Sequence, residues 1–180
     1  MSFELTTGQR AERKQLITVA EWTEGSDIVR ELLGTRTPDS SIDYNPEIET
    51  STDIRGNTYT DVNKTEPQQA FDPHLILGGA KLAEKMDDIR RWNALSELNQ
   101  FTIYVITAYK KGTVGTVEGY QTEKQVDCTI TYESLGGESN VNFPITVHFS
   151  NKTTLGIVDK LGDDFVFTPE TASNSNSNEL

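Results

Sequence analysis

One polar stretch, residues 42–73, constrains the fold of this chain more than any other. In much of it Thr, Ile, Tyr and Val alternate with polar side chains, which is the period of a β-strand with one wet face. Gly56 and Asn57 interrupt the alternation, because both tolerate positive φ, and Pro73 ends it, because proline cannot donate to a strand ladder. The pattern predicts an extended arm or hairpin. Because a small β domain rarely keeps so much extended polar chain without a partner, the stretch is a candidate assembly surface.

The charge balance disfavours sequence-specific binding of nucleic acid. Sixteen Lys and Arg stand against 28 Asp and Glu among 180 residues, which gives a formal charge of −12. Such a surface repels phosphate backbones, although an acidic conduit would let DNA slide past for the same reason. The start of the chain has no signal-peptide pattern and no window is apolar enough to span a membrane, so we expect a protein that is made in the cytoplasm and does not enter membranes.

The rest of the chain predicts one β domain with a single helix. Leu82, Met86 and Ile89 form the apolar stripe of a helix over about residues 80–92, and Asp87 and Arg91 have the spacing of an ion pair on its outer face. We expect an N-terminal arm over 1–13, the β domain over 14–168 including the arm at 42–73, and a disordered tail over 169–180. The predicted architecture is an antiparallel β-sandwich or barrel flanked by that helix. Strands are predicted at 15–22, 27–36, 101–109, 113–120, 125–132, 140–149, 154–161 and 165–167.

No signature of an enzyme, a metal site or a cofactor site is found in the sequence. His74 and His148 have no ligand at metal-binding spacing, and Cys128 lies on the apolar side of a strand, where a buried inert thiol is expected. The segment from Asp61 starts like a calcium loop, but Glu66 stands where that loop needs glycine. We therefore expect no catalytic residue, no metal and no cofactor. Both tryptophans, Trp22 and Trp92, look like core residues.

The arm and the helix together resemble the tail tube proteins, also called major tail proteins, of long-tailed bacteriophages. The resemblance is carried by TSTDIRGNTYTDVNKTEPQQAFDP at 50–73, GGAKLAEKMDDIRRWNALSELNQF at 78–101, SLGG at 134–137 and HFSNKTTLG at 148–156. It extends over roughly residues 28–167. It is a likeness of pattern without a catalytic motif, and what it implies is a β-sandwich or barrel with a flanking helix that forms hexameric rings.

In that family the rings stack into a hollow tube through which the genome is ejected. The resemblance implies that the main partner is the same protein, in the next subunit and the next ring. It also implies contacts with a tape-measure protein and with tail terminator or baseplate proteins, passage of DNA without specific binding, and a location in the virion tail. Our candidates for contacts between subunits and rings are the charged residues of the arm: Glu47, Glu49, Asp53, Arg55, Asp61, Lys64 and Glu66.

Two other readings stay open from the sequence. The inner tube of a contractile tail or bacteriocin would share the shape, and only the genetic context would separate it from a non-contractile tail. A carbohydrate- or receptor-binding β-sandwich belongs to a different class, and it predicts a concave site with clustered exposed aromatic side chains.

Overall fold

The computed structural model describes residues 2–170, which form twelve strands, one α-helix and two short 3₁₀ helices. The helix α1 is Lys81–Trp92, and the 3₁₀ helices are Arg13–Gln15 and Leu95–Asn99. The strands are β1 Ser2–Phe3, β2 Leu16–Glu24, β3 Asp27–Leu32, β4 Ile42–Asp43, β5 Pro46–Thr52, β6 Thr58–Thr65, β7 Gln68–Phe71, β8 Phe101–Val114, β9 Val117–Tyr132, β10 Ile145–His148, β11 Thr153–Val158 and β12 Phe167–Pro169.

Strands β8 and β9 form a long hairpin at the centre of the main sheet. The sheet runs β3-β2-β8-β9-β10-β7-β4, and every pair in it is antiparallel. Val114 pairs with Val117 across a two-residue turn whose first residue, Gly115, has φ 61°. Gly119 lies close to the neighbouring strand, because a Cβ there would come within 2.2 Å of the Val158 carbonyl oxygen. The two glycines thus mark a hairpin tip and a close backbone approach.

The main sheet bends where β9 passes from one neighbour to the next. On the edge of β9 away from β8, β11 pairs with residues 120–125 and β10 with residues 129–132. Between them Asp127 has φ 55° and Asn151 has φ 60°, a left-handed conformation that these two residue types tolerate. Lys152 and Asp127 close the corner with a 2.7 Å ion pair. The bend brings the two halves of the sheet together around a core.

The larger apolar cluster lies between the bent sheet and α1. From the helix it takes Leu82, Met86 and Ile89, which are all at most 2% exposed. The backbone N–H of Leu82 donates to Glu31 Oε2 at 2.9 Å, so a strand carboxylate satisfies a free amide of the first turn. Strands β2, β8, β9 and β10 contribute the facing side chains, including Ala20, Phe101, Ile103, Cys128, Ile130, Ile145 and Val147.

A smaller cluster covers the opposite face of β2 and β8. Val19, Tyr104 and Ile106 meet Val158 at the end of β11 and Phe165 from the segment that follows it. Glu21 and Arg30 form a 2.6 Å ion pair at its edge, and Arg30 also donates to the Phe165 carbonyl at 2.7 Å. The central strands are therefore covered on both faces, as the apolar character of residues 15–22 and 101–109 predicts.

The predicted fold class is confirmed, and the structure corrects several of its details. The protein is mainly β and antiparallel, with one α-helix. Of the two forms that the sequence left open, a closed barrel is not found among residues 2–170. The helix occupies the predicted position, but Asp87 pairs with Arg90 at 2.6 Å rather than with Arg91. The strands predicted at 101–109 and 113–120 are not separated by a turn at Lys110–Gly112, because β8 continues through these residues after a bulge.

The prediction that Trp92 is a core residue is wrong, and the helical geometry explains why. Trp22 is 4% exposed and belongs to the core, but Trp92 is 81% exposed. At about 100° per residue, Trp92 lies about 90° around the helix from the centre of the stripe formed by Leu82, Met86 and Ile89. The side chain therefore flanks the buried face instead of joining it.

Candidate functional site

The only stretch of sheet in residues 2–170 that stands apart from the main sheet is the hairpin of β5 and β6. We call residues 46–65 the arm. Its two strands pair with each other in seven antiparallel steps and with no other strand, and every residue of β5 is exposed. The predicted arm was longer, over 42–73. Its ends instead belong to the main sheet as β4 and β7, because Gln69 and Phe71 there are buried.

One face of the arm carries no charge and is built from β-branched side chains. The cross-strand pairs are Ile48 with Val62, Thr50 with Thr60, and Thr52 with Thr58. Ile48 is 59% exposed and Val62 is 61% exposed. The alternation in the sequence predicted one wet face, but both faces of this ribbon are wet in the isolated chain. Such side chains normally pack against a second layer, and residues 2–170 supply none.

The other face of the arm is acidic. Glu49 lies directly opposite Asp61, and Tyr59 lies opposite Ser51. Like charges opposite each other destabilise a strand pair, and within residues 2–170 neither carboxylate has an ion-pair partner. The Asn63 amide donates to Glu49 Oε2 at 3.1 Å, which moderates the repulsion without neutralising it. This face is suited to a cationic partner.

At the base of the arm one lysine lies between two carboxylates. Lys64 Nζ lies 2.8 Å from Glu66 Oε1 and 3.8 Å from Glu47 Oε2. The hydrogen bond to Glu66 raises the pKa of Lys64, and the same contact lowers the pKa of Glu66. These three contact candidates therefore form an internal cluster. The other four candidates have no ion-pair partner in the described chain: Glu49, Asp53, Arg55 and Asp61.

The tip of the arm is a turn organised by Asp53. Its carboxylate accepts hydrogen bonds from the backbone amides of Arg55 at 2.8 Å and Asn57 at 2.9 Å, from the Asn57 side chain at 3.0 Å and from the Tyr59 hydroxyl at 3.2 Å. The hydrogen bonds from Asn57 and the others lower the pKa of Asp53. Ile54, with a relative exposure of 103%, projects from this turn beside Arg55. The predicted break at 55–57 is confirmed.

Hydrogen bonds at both ends fix the arm to the body. Glu66 N–H donates to the Tyr44 carbonyl at 3.0 Å, and the Asn45 amide donates to the Glu66 carbonyl at 3.1 Å. From the bend in the main sheet, the Asn151 side chain donates to the Thr65 carbonyl at 2.9 Å. The arm is therefore held at its base and leaves its faces and tip accessible.

The two histidines and the cysteine, which were considered for catalysis or metal binding, lie outside the arm. His74 is 5% exposed, both of its ring nitrogens lack a hydrogen-bond partner, and burial lowers its pKa, so the ring is neutral. His148 is exposed and contacts the Thr131 hydroxyl at 3.1 Å. Cys128 is buried, which raises its pKa. In the part of the chain that the structure describes, no three potential ligands cluster for a metal, and no helix is long and apolar enough to cross a membrane.

Comparison with known proteins finds a loose likeness to solved structures. No family model and no curated protein matches the sequence. Among solved structures, the chain is similar to the tube-terminating cap of the anti-feeding prophage, determined by cryo-electron microscopy. The identity is 15%, the TM-score is 0.47, and the match covers 85% of this chain and 95% of that one. The likeness is one of approximate chain path alone, and the features that bear on function are those of the arm itself.

Proposed function

We propose that this chain is a structural subunit that assembles with copies of itself into hexameric rings, which stack into the tube of a phage tail. The observation that carries the proposal is the arm, a hairpin with an uncovered β-branched face, an unneutralised acidic face and a projecting tip. A hairpin with no covering layer has marginal stability by itself. Packing against a second subunit would supply the layer that is missing, and it would offset the repulsion between Glu49 and Asp61.

Two further features support a closed assembly. The sheet is open, with β3 and β4 at its ends, and edge strands offer unpaired backbone groups that a neighbouring subunit can cover. A head-to-tail contact between identical subunits closes into a ring when the rotation permits it. The formal charge of −12 per chain suits a conduit from which DNA is released without sticking.

The finer parts of the proposal come from the family resemblance in sequence. They are a location in the virion tail, contacts with a tape-measure protein and with terminator or baseplate proteins, and a role in genome ejection. The inner tube of a contractile tail would share the shape of the subunit. The arm supports self-assembly in either setting, and a sheath gene beside this one would favour the contractile form.

The experiment is removal of the arm at a point that preserves its base. Glu47 and Lys64 are neighbours across the strand pair, so residues 48–63 can be replaced by Asn-Gly, which closes a two-residue hairpin. We expect the wild-type protein to form rings or tubes at high concentration under negative stain. The shortened variant should remain a monomer in sedimentation velocity, and cooperative denaturant unfolding should show that its body is folded.

A matched variant keeps the arm and changes only its acidic face. Glu49→Gln with Asp61→Asn removes two charges without changing length or shape, and we expect it to fold and to assemble with altered salt dependence. If the shortened variant forms tubes as readily as the wild type, the arm does not drive assembly. If the wild type itself stays monomeric at all concentrations and binds a glycan array, the carbohydrate-binding reading replaces this one.

A further inference from the structure

A pocket on the body of the protein has the size and chemistry to receive the tip of the arm. Its volume is about 340 Å³. The apolar part of its lining is formed by Leu16, Leu33 and Phe71, and its polar edge carries Arg13 and Asp39. Arg13 is fixed there, since it donates to the Ser40 carbonyl at 2.7 Å and to the Leu16 carbonyl at 2.6 Å. The pocket therefore combines an apolar floor with a charged rim.

The tip presents the matching set of groups in a fixed shape. Ile54 is entirely exposed, and Arg55 beside it forms no ion pair within residues 2–170. The four hydrogen bonds to Asp53 hold the turn before any partner arrives, so little conformational entropy would be lost on docking. A rigid apolar side chain on a projecting turn is the kind of anchor that fills a partner's pocket.

The charges at the tip and at the pocket are complementary in sign. Asp39 is exposed on the pocket rim and likewise has no ion-pair partner in the described chain, so it can receive Arg55. The lining of the pocket also includes the cations Arg13 and Lys14, of which Lys14 pairs with Glu12 at 2.6 Å. Complementary charges of this kind fix register and orientation at an interface.

The arm cannot reach the pocket of its own chain. Seven paired steps place the tip about 24 Å from the arm's base, at about 3.4 Å per residue, and the base adjoins the pocket through residues 40–45. A paired hairpin cannot fold back over that distance without losing its ladder. The receiving pocket must therefore belong to another copy, and a tip-to-pocket contact is heterologous, which generates rings or filaments.

We propose that Ile54 of one copy inserts into the pocket lined by Leu16, Leu33 and Phe71 of the next copy, with Arg55 paired to Asp39. This inference rests on the proposed function, because it identifies the surface on which the arm docks. It also gives the contact a direction, with the tip as donor on one side of the subunit and the pocket as acceptor on the other.

Charge reversal tests the pairing without touching the core. Arg55→Asp and Asp39→Arg should each raise the concentration needed for assembly by about tenfold or more, because each places like charges together at a docked contact. The double variant should assemble within about threefold of wild type. An equimolar mixture of the two single variants should also assemble, because each tip then finds a complementary pocket on the other variant. Asp163→Arg, an exposed change of the same charge elsewhere, should assemble as wild type does.

The outcomes separate this inference from the proposed function. If both single variants assemble normally while the variant lacking 48–63 does not, the arm drives assembly through another surface and the pocket is wrong. The pocket is equally wrong if neither the double variant nor the mixture recovers assembly. If the wild type forms no assembly and the variants match it, the proposed function itself fails.

Discussion

Strand β8 and the arm are both antiparallel and rich in β-branched side chains, yet they differ completely in what covers them. Ile103 of β8 is 0% exposed, whereas Ile48 of the arm is 59% exposed. Helix α1 covers one face of β8, and the segment with Val158 and Phe165 covers the other. A period of two along the chain indicates a strand, but it does not say whether the covering layer lies in the same chain or in another one.

The difference extends to the ion pairs of the two regions. Glu21 and Arg30 flank the smaller core cluster with side chains 14% and 24% exposed, and Arg30 lies over the Phe165 ring at 4.4 Å. Burial, with the nearby Glu21 carboxylate, raises the pKa of Tyr104 to about 12. Lys64 of the arm pairs with Glu66, and these side chains are 59% and 69% exposed. Contacts of the first kind stabilise the subunit, and we expect those of the second kind to matter only in an assembly.

The largest expected effect comes from the same substitution made in both regions. Ile103→Ala removes three carbons from a fully buried site, so the free energy of unfolding should fall by about 3 kcal/mol. Ile48→Ala should change it by less than about 0.5 kcal/mol, because that side chain is largely in water already. Denaturant unfolding of the monomer at low concentration measures both.

The effect on tube formation should be larger for Ile48→Ala than for Ile103→Ala, the reverse of the effect on unfolding free energy. Ile48→Ala should weaken tube formation, whereas whatever Ile103→Ala monomer remains folded should assemble. A loss of stability in Ile48→Ala comparable to that in Ile103→Ala would mean that the arm packs on its own subunit in solution, and the contrast between the regions would disappear.

Much of the body can be predicted from the sequence because its covering layers are local and apolar. The stripe Leu82, Met86 and Ile89 identifies the helix, and the apolar character on both faces of residues 101–109 indicates a doubly covered strand. The burial of Cys128 follows from clean alternation, and the short turn at 134–137 indicates the antiparallel pairing of β9 with β10. In each case the hydrophobicity of the side chains themselves indicates which face is buried.

What cannot be predicted depends on three-dimensional neighbours. The bulge over 108–110 carries β8 past Lys110 and Gly112, although these residues resemble a turn. The pocket beside Asp39 draws its lining from β2, β3 and β7, so no local pattern marks it. Lys64 is paired at the base of the arm, whereas Glu49 lies opposite Asp61 on its acidic face. This difference can be recognised only from the cross-strand register. That register includes a shift between Glu47 and Ile48, which alternation does not reveal.

A smaller loss of unfolding free energy should distinguish the Glu21–Arg30 ion pair from the Lys64–Glu66 ion pair. Arg30→Ala leaves the part-buried Glu21 carboxylate without its cation, so we expect a loss of about 2 kcal/mol in unfolding free energy after allowing for the partial exposure. Lys64→Ala should cost at most about 0.5 kcal/mol, as exposed pairs usually do. Thermal and denaturant unfolding provide the values. Arg30→Met keeps the aliphatic stem over Phe165, and a loss as small as that of Lys64→Ala in this variant would show that packing rather than charge stabilises the site.

The smallest change in global stability is expected for Asp53→Ala, which acts only on the tip of the arm. The amides of Arg55 and Asn57 would lose their acceptor, so their hydrogen exchange should accelerate about tenfold or more while β8 keeps its protection.

The order of the tip should also depend on pH. Because hydrogen bonding lowers the pKa of Asp53 in the fold, the stability that its carboxylate gives to the tip is present above the ordinary value of 3.8 and is lost as the pH falls through the lowered pKa. Acidifying the wild type should therefore loosen the tip as the substitution does, and Asp53→Asn should retain part of the protection because its amide oxygen still accepts. If the tip amides of Asp53→Ala stayed protected, the turn would be organised by the strand ladder alone. In that case the side chain at position 53 would have no part in presenting Ile54.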